Sequence, residues 1–300
     1  IFTRAVALRG QAFVNHAFAA VAVPFVELHL TNIYARENGW AISGLTALYA
    51  ATGEPHALQA AESAAAWVLK NRPITGGGFK HGDKDRGGPF LGDTLAMGQA
   101  ALDLYAATGK RPWLDAAGKA GDFIAANFKD AAGGFQTAAQ IEADAGVFAK
   151  PAKPLEEQIQ VTRFANRLHR YIGTQSYRDL AEHGGRYVTS AAILDSPRSL
   201  PGVLLADAEL SREPVHITIV GHKDDPRSGT LHAAGRAFPA TYKRLDWWDK
   251  REGPLPNPDV QYPELESPAA FACTDRICSL PVFEPVELAE TVTNMLGLKA

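Results

Sequence analysis

The sequence lacks a large excess of charge of either sign. Its 30 Lys and Arg stand against 33 Asp and Glu, for a formal net charge of −3. Proteins that bind nucleic acids or anionic membranes concentrate basic residues on one surface, because phosphate groups are their main contacts. The composition therefore predicts neither of these partners, and leaves small molecules and other proteins.

A long uninterrupted hydrophobic run is also missing. The most apolar stretch, residues 13–30, is broken by residues that a bilayer core would accept only at high cost: Asn15, His16, Pro24, Glu27 and His29. We interpret it as a buried helix and predict no membrane span and a soluble chain.

The start of the chain carries mixed signals about location. Arg4 and Arg9 precede the apolar stretch, as they would in a secretory signal, but no small-residue cleavage site follows. The location is left open, with a preference for an extracytoplasmic one. The chain begins at Ile1 rather than Met, which suggests that it belongs to a longer polypeptide.

Cysteine is scarce, with only Cys273 and Cys278 present. A disulfide between them would close a short loop and contribute roughly 2 kcal/mol in the chain-entropy model. Two thiols cannot complete a tetrahedral zinc site, and no His lies nearby at a suitable spacing. We predict a structural disulfide with Cα atoms within about 7 Å. Inert buried thiols and a redox or metal role are the alternatives, and no metal site or cofactor is predicted.

What the sequence does contain is a repeat. With 46% hydrophobic residues the chain can bury a large core. The six residues 48–53 recur at 104–109, and a looser third copy occupies 168–173. Each copy is an apolar stretch that ends at Gly, a helix-terminating signal, and an Ala-rich or amphipathic stretch follows. The pattern predicts three antiparallel helix pairs within residues 38–190, with corresponding turns at Gly53, Gly109 and Gly173.

The pattern changes after about residue 210. Residues 215–221 are rich in β-branched side chains, and residues 240–248 again look extended after a short helical stretch. They predict two parallel strands joined by a helix, then an extended Pro-rich crossing at 252–268 and a last helix at 285–298. We therefore predict a helical-hairpin (α/α) domain at 1–210 and a small α/β element at 211–300.

Four segments carry short motifs: Asn-Gly at the start of residues 38–45, Leu-x-Asp in residues 90–93, the β-branched run at 216–221, and Cys-x4-Cys-x2-Pro in residues 271–282. In this order they resemble the Trp-Asn-Gly helix start, the Leu-x-Asp entry to the next hairpin, the Val-Ile-Val-Gly strand and the Cys-x4-Cys-x2-Pro ending of the thioredoxin-domain, spermatogenesis-associated-protein-20-like family. The resemblance implies the carboxy-terminal part of a mainly α protein, a six-hairpin (α/α) toroid similar to glycosidases and sugar epimerases.

The chain departs from that family in three ways. The thioredoxin-like domain with its Cys-x-x-Cys motif is absent, and residues 155–158 replace the usual Pro-Ser-Gly-Asn. About three and a half hairpins are visible, too few to close a six-hairpin ring. Three alternatives account for the missing hairpins. An upstream part of the polypeptide completes the ring, the domain is an open arc, or a partner fills the gap.

Carboxylates at the starts of the predicted inner helices are the candidate catalytic groups: Asp93, Glu37 and Glu156. Hydrolysis at an anomeric carbon needs two carboxyl groups, one protonated and one ionised, and Asp93 also lies in a family-like motif. The candidate ligand-binding residues are Trp40, His81 and Glu157. The alternative for each acid is a helix cap that complements the macrodipole. A lone His is more often structural than catalytic.

Three functions compete on this evidence. The preferred hypothesis is a non-catalytic or redox-linked accessory module, with a thioredoxin-like domain or another protein as partner. The alternative is a carbohydrate-active enzyme, a glycoside hydrolase or sugar epimerase, with a carbohydrate or small-molecule ligand. The third is an enzyme fragment inactivated by loss of part of its ring. Fold analogy alone supports the enzyme.

Overall fold

The structure, a computed structural model, describes residues 33–85, 87–139, 152–195, 201–274 and 277–298. The helix expected at residues 13–30 lies outside these ranges. Within them, no helix is long and apolar enough to cross a membrane.

Three antiparallel helix pairs form the larger part of the described chain. They are α1 Ala35–Thr52 with α2 Pro55–Asn71, α3 Leu91–Thr108 with α4 Arg111–Asn127, and α5 Leu155–Ile172 with α6 Gln175–Val188. The first helix of each pair ends at Gly53, Gly109 or Gly173, with φ of 72°, 67° and 78°. This left-handed conformation suits glycine because it has no Cβ. The predicted hairpins and turns are confirmed.

The middle pair forms the centre of the hydrophobic core. Leu91, Leu102 and Tyr105 of α3 pack with Ile124 of α4 and Phe164 of α5, and all are fully or almost fully buried. Small residues let the first helices of the pairs approach closely. A Cβ added to Gly39 of α1 would lie 2.6 Å from the backbone carbon of Ala96 in α3.

Gly39→Ala should therefore lower the free energy of unfolding by about 1–3 kcal/mol, the usual cost of overpacking a core. Gly44→Ala on the same helix is the matched control, because a Cβ there meets nothing within 4 Å. It should raise stability by about 0.5–1 kcal/mol through helix propensity. Chemical denaturation of both variants measures the difference, and equal effects would contradict the close approach of α1 and α3.

The connections between pairs contain more order than their composition predicts. Strands β1 Pro73–Ile74 and β2 Gly78–Phe79 form an antiparallel hairpin inside the first long connection. Gly76 and Gly77 make its turn with φ of 94° and 104°, which accounts for the glycines at these positions. In the second connection, Leu91 N–H donates to Thr137 O at 2.9 Å, so this loop is tied to the start of α3.

The third helix pair is followed by two more helices, α7 Ala191–Leu194 and α8 Pro201–Ser211. Helix α8 packs against α5. The Arg163 guanidinium donates to both carboxylate oxygens of the buried Glu209 at 2.8 Å, and Asn166 Nδ2 donates to the Glu209 carbonyl at 3.0 Å. These contacts fix α8 along one flank of α5.

A four-stranded sheet follows the helices. Its elements are β3 Val215–Val220, α9 Pro226–Ala237, β4 Lys243–Trp248, β5 Ala269–Thr274, β6 Ile277–Cys278 and the closing helix α10 Pro285–Met295. The strand order is β4-β3-β5-β6. Strands β3 and β4 pair in parallel and α9 connects them, as predicted. Strands β5 and β6, which the sequence analysis did not predict, add antiparallel.

The two faces of the sheet differ in polarity, because successive side chains of a strand point to opposite sides. Ile217 and Leu245 are on the face that packs with Leu231 of α9 and Leu288 of α10. The opposite face is polar and contacts the helix pairs. There Tyr105 Oη donates to Asp246 Oδ1 at 2.7 Å. The predicted division of the chain between residues 210 and 211 falls just before the last residue of α8, which ends at Ser211, and it stays a prediction.

Candidate functional site

Carboxylates lie in the first turn of the first helix of each pair. Glu37 is in α1, Asp93 in α3, and Glu156 and Glu157 in α5. Helix starts favour negative charge, because their free N–H groups and the helix dipole are positive there. The parallel arrangement of the three helices brings these starts to one end of the helix pairs.

Asp93 is at the centre of this end and is 1% exposed. Its Oδ1 accepts from the backbone N–H of Arg36 at 3.0 Å and lies 2.9 Å from His81 Nδ1. Burial raises the pKa of Asp93 above its ordinary value, although His81 and Arg36 oppose the effect. A buried carboxyl that retains its proton more readily is suited to acid catalysis.

Glu157 is the second carboxyl that faces this centre. Its Oε2 accepts from Thr137 Oγ1 at 2.7 Å. Burial raises the pKa of Glu157, and the charge of Asp93 adds to the increase. Gly92 lies next to both Glu157 and Arg36. A Cβ at this position would lie 3.1 Å from Glu157 Oε1 and 3.1 Å from Arg36 Cδ. The absence of a side chain at Gly92 leaves room for the Arg36 side chain beside Glu157.

Arg36 also connects the centre to an exposed aromatic ring. It donates from Nε and Nη2 to Glu37 Oε1 at 3.1 and 2.9 Å, and its guanidinium lies 5.3 Å from the ring centroid of Trp40. Trp40 is 58% exposed, so it has a free apolar surface next to the Glu37 carboxylate. Exposed Trp side chains of this kind are suited to stacking against a ligand.

The His81 ring has a fixed position. It stacks on Tyr34 with centroids 4.4 Å apart and planes 9° apart. The Asp85 carboxylate accepts from the backbone N–H groups of His81 and Gly82, both at 2.7 Å. The ring is therefore held against Asp93, where it can exchange a proton with that carboxyl.

Glu156 is not part of this cluster. Its side chain is exposed, and its Oε1 accepts from Gln160 Nε2 at 2.8 Å. Of the two neighbouring acids, Glu157 rather than Glu156 therefore faces Asp93 and Arg36. The cluster thus comprises Asp93, Glu157, His81, Arg36, Glu37 and Trp40, and we call it the Asp93 cluster.

Sequence analysis missed Tyr34, Arg36 and Thr137. Arg36 could have been noticed as a cation beside Glu37 at a helix start. Thr137 is 20 residues from Glu157, within a polar loop that gives no signal of its own. Only the folded connection between α4 and α5 brings it to the cluster.

A cavity of about 760 Å³ lies at the other end of the helix pairs, beside the Gly173 turn and the polar side of the sheet. The candidate residues predicted from the sequence lie at the helix starts, so this cavity is separate from them. The cavity is bounded by the sheet and the extended segment after β4, and these lie against the ends of the helices rather than their starts.

The Cys273–Cys278 disulfide is formed, with the two Cα atoms 4.0 Å apart. It joins β5 to β6 directly across the antiparallel pair. The predicted pairing of the two cysteines is confirmed.

The chain resembles solved structures of helical-toroid proteins. A protein of Listeria innocua matches 75% of this chain and 67% of its own length, with 14% identity and a TM-score of 0.52. A family 76 α-1,6-mannanase of Salegentibacter matches 60% of this chain and 54% of its own, with 14% identity and a TM-score of 0.50. The fold is a partial (α/α) toroid.

Weaker similarity extends to a cellobiose 2-epimerase of Spirochaeta thermophila, with 15% identity over 59% of this chain and 54% of that one and a TM-score of 0.44. No family model and no curated protein matches the chain. The partial toroid spans about half the length of the glycoside hydrolases that it matches. The predicted toroid fold is confirmed, and none of these matches supports the link to a thioredoxin domain.

Proposed function

We propose that the partial toroid belongs to a carbohydrate-active enzyme whose chemistry takes place at the Asp93 cluster. The observation that carries the proposal is a pair of carboxyls, Asp93 and Glu157, whose pKa values burial raises at the convergence of three helix starts. Perturbed carboxyls in such positions are common at catalytic sites. The toroid fold, which an α-1,6-mannanase shares, supports the same class of substrate.

The residues of the cluster divide naturally into roles for glycoside hydrolysis. This reaction needs a carboxylic acid that protonates the leaving oxygen and a second carboxylate on the other side of the bond. Asp93 is the proton donor, because burial favours its protonated form and His81 can restore the proton. Glu37, which pairs with Arg36, is the second carboxylate. Trp40 provides the face on which a sugar ring stacks.

Glu157 has a supporting role in this scheme. The charge of Asp93 lies close enough to Glu157 to raise the pKa of Glu157. The redox-linked form of the accessory-module hypothesis depended on the thioredoxin resemblance. With no match to support that link, carbohydrate chemistry is the better-supported function.

Glu157→Gln and Glu156→Gln test the assignment as a matched pair. Turnover of the full chain on a panel of glycosides and free sugars should fall in Glu157→Gln and stay unchanged in Glu156→Gln. The two positions are adjacent on α5, but only Glu157 faces Asp93. Equal effects on turnover would remove Glu157 from the site, and no turnover or sugar binding by the unmodified chain would contradict the proposed function.

The stability of Glu157→Gln should also depend on pH in a defined direction. The folded-state pKa of Glu157 is raised above its ordinary 4.5, so its contribution to stability is complete below that pH and is lost as the pH rises through the folded value. Gln cannot ionise and avoids this loss. The free energy of unfolding of Glu157→Gln relative to the unmodified chain should therefore increase from acidic to neutral pH. Denaturation at a series of pH values measures this, and a flat or falling difference would contradict it.

A further inference from the structure

Residues 277–282 form one outer edge of the four-stranded sheet. Their strand, β6, is the last in the order β4-β3-β5-β6. After it, Ser279 N–H donates to Ala272 O at 2.8 Å, and Val282 N–H donates to Ala270 O at 2.9 Å. The segment is therefore hydrogen-bonded to β5 along its inner side. An outermost strand turns its other row of backbone N–H and C=O groups outward, where a further strand can pair with them.

Exposed apolar side chains are concentrated at this edge. Six of the ten large hydrophobic side chains that are exposed in the described part of the chain lie within residues 277–298. Ile277 is 71% exposed and Leu280 is 85% exposed on the edge itself, and the exposed Phe283 joins the edge to the start of α10. Single apolar residues scattered over a surface are ordinary, whereas a cluster of them marks an interaction site.

The Cys273–Cys278 disulfide holds this edge in place. It joins directly paired residues of β5 and β6, so β6 stays against the sheet although it is only two residues long. A strand that binds here meets a preformed edge and does not have to order it first. Preorganisation of this kind lowers the entropy cost of binding.

The charge around the edge is of one sign. Residues 277–298 contain Glu284, Glu287 and Glu290 and no Lys, Arg or His. All three glutamates are exposed. Glu287 and Glu290 are three positions apart, so they lie on the same side of α10. The surface therefore attracts a cationic partner and opposes an acidic one.

A second copy of this chain fits the surface poorly. Pairing of two β6 edges would bring the glutamates of both copies together, and like charges across an interface cost free energy. A partner that covers the apolar side chains and also carries positive charge suits both features. An extended segment does so because its backbone pairs with the edge while its side chains contact the surface on either side.

We propose that the β6 edge binds an extended segment of another protein that contains both apolar residues and Lys or Arg. The segment adds a further strand to the sheet beside β6. Its apolar side chains cover Ile277, Leu280 and Phe283, and its cations lie near the glutamates of α10. This surface belongs to the small sheet, so its role does not rest on the carbohydrate chemistry proposed for the Asp93 cluster.

The test is the binding of a short synthetic peptide of alternating Val and Lys to the folded full chain, measured by fluorescence anisotropy at fixed salt. Leu280→Ser should weaken binding by at least about tenfold, as expected for a contact that contributes strongly to an interface. Leu204→Ser on α8 is the matched control, because Leu204 is 69% exposed on another element, and it should leave binding unchanged. Both side chains are exposed, so neither change should disturb the fold. Equal affinities of the two variants, or no binding by the unmodified chain, would overturn the proposal.

Two changes to the peptide test the mode of binding. N-methylation of its backbone removes the N–H donors but keeps the side chains, so it should weaken binding by at least about tenfold if the peptide adds a strand. Replacement of every Lys by Glu should abolish binding, because the peptide then has the same sign of charge as α10. Undiminished binding of the N-methylated peptide would reject strand addition.

Charge and self-association are tested on the chain itself. Glu287→Gln combined with Glu290→Gln should weaken binding by about threefold or more, whereas Asp207→Asn, at an exposed position of α8, should have no effect. Equal affinities of these two variants would reject the cationic partner. Sedimentation of the unmodified chain should show a monomer, and a dimer that Leu280→Ser dissociates would show that a second copy covers the edge instead.

Discussion

Asp93→Asn should lower turnover on a glycoside substrate by about a hundredfold or more, the lower end of the contribution of general acid–base catalysis. Asn has nearly the same volume as Asp and its Oδ1 can still accept the N–H of Arg36, but it has no proton to donate to the leaving oxygen. Steady-state kinetics on the best substrate of a glycoside panel measures the effect. The melting temperature should stay close to that of the unmodified chain.

The same variant decides between catalysis and a purely structural role. The Asp93 carboxylate accepts a hydrogen bond from the backbone N–H of Arg36, near the start of α1. It therefore also caps this neighbouring helix. If capping were its only role, Asn would replace it with little change in turnover. Undiminished turnover in a folded Asp93→Asn would therefore leave the carboxyl as a cap and remove it from the mechanism.

Asp246→Ala should lower the free energy of unfolding by about 3–5 kcal/mol, the cost of removing one partner from a buried ion pair. Asp246 is fully buried, and its carboxylate oxygens accept hydrogen bonds from Tyr105 Oη and Arg244 Nε. Its loss leaves the Arg244 guanidinium, 3% exposed, without its buried counter-ion. Because the pKa of Asp246 is lowered in the folded chain, this stabilisation is present above the ordinary value of 3.8 and is lost as the pH falls further.

Asp259→Asn is the matched control for this prediction. Asp259 is the other carboxylate partner of Arg244, at 2.7 Å, but it is 46% exposed. Exposed ion pairs contribute about 0–1 kcal/mol. Urea denaturation of both variants at neutral pH should show the difference, and a similar small loss in Asp246→Ala would mean that Arg244 keeps its stabilisation without the buried carboxylate.

The sequence contained enough information to predict the helix pairs and the parallel strands. The repeat at 48–53, 104–109 and 168–173 ends each time at a glycine, and a left-handed cap is the local structure that this residue favours. The β-branched run at 215–220 likewise carries its own strand signal. These are local preferences, so a single segment reveals them.

The parts that sequence did not predict depend on distant contacts. Strand β5 begins with Ala269 and Ala270, which have little strand preference, and it forms because β3 lies beside it. At the start of α5, Glu156 and Glu157 differ by one position on the helix, a rotation of about 100°. Two neighbouring acids give no indication of which one turns inward. That choice depends on Thr137 and Arg36, which come from other parts of the fold.

Helix α8 determines how this toroid can be extended. In a stack of hairpins, each new first helix lies against the flank of the one before it, and α8 already lies on such a flank of α5 through Arg163 and Asn166. Among the described helices, α8 therefore occupies the flank of α5 that a further hairpin would need, and growth of the array by repeat addition is closed at this side. An engineered repeat inserted between α6 and α8 would have to displace Glu209 and leave the buried carboxylate without its arginine.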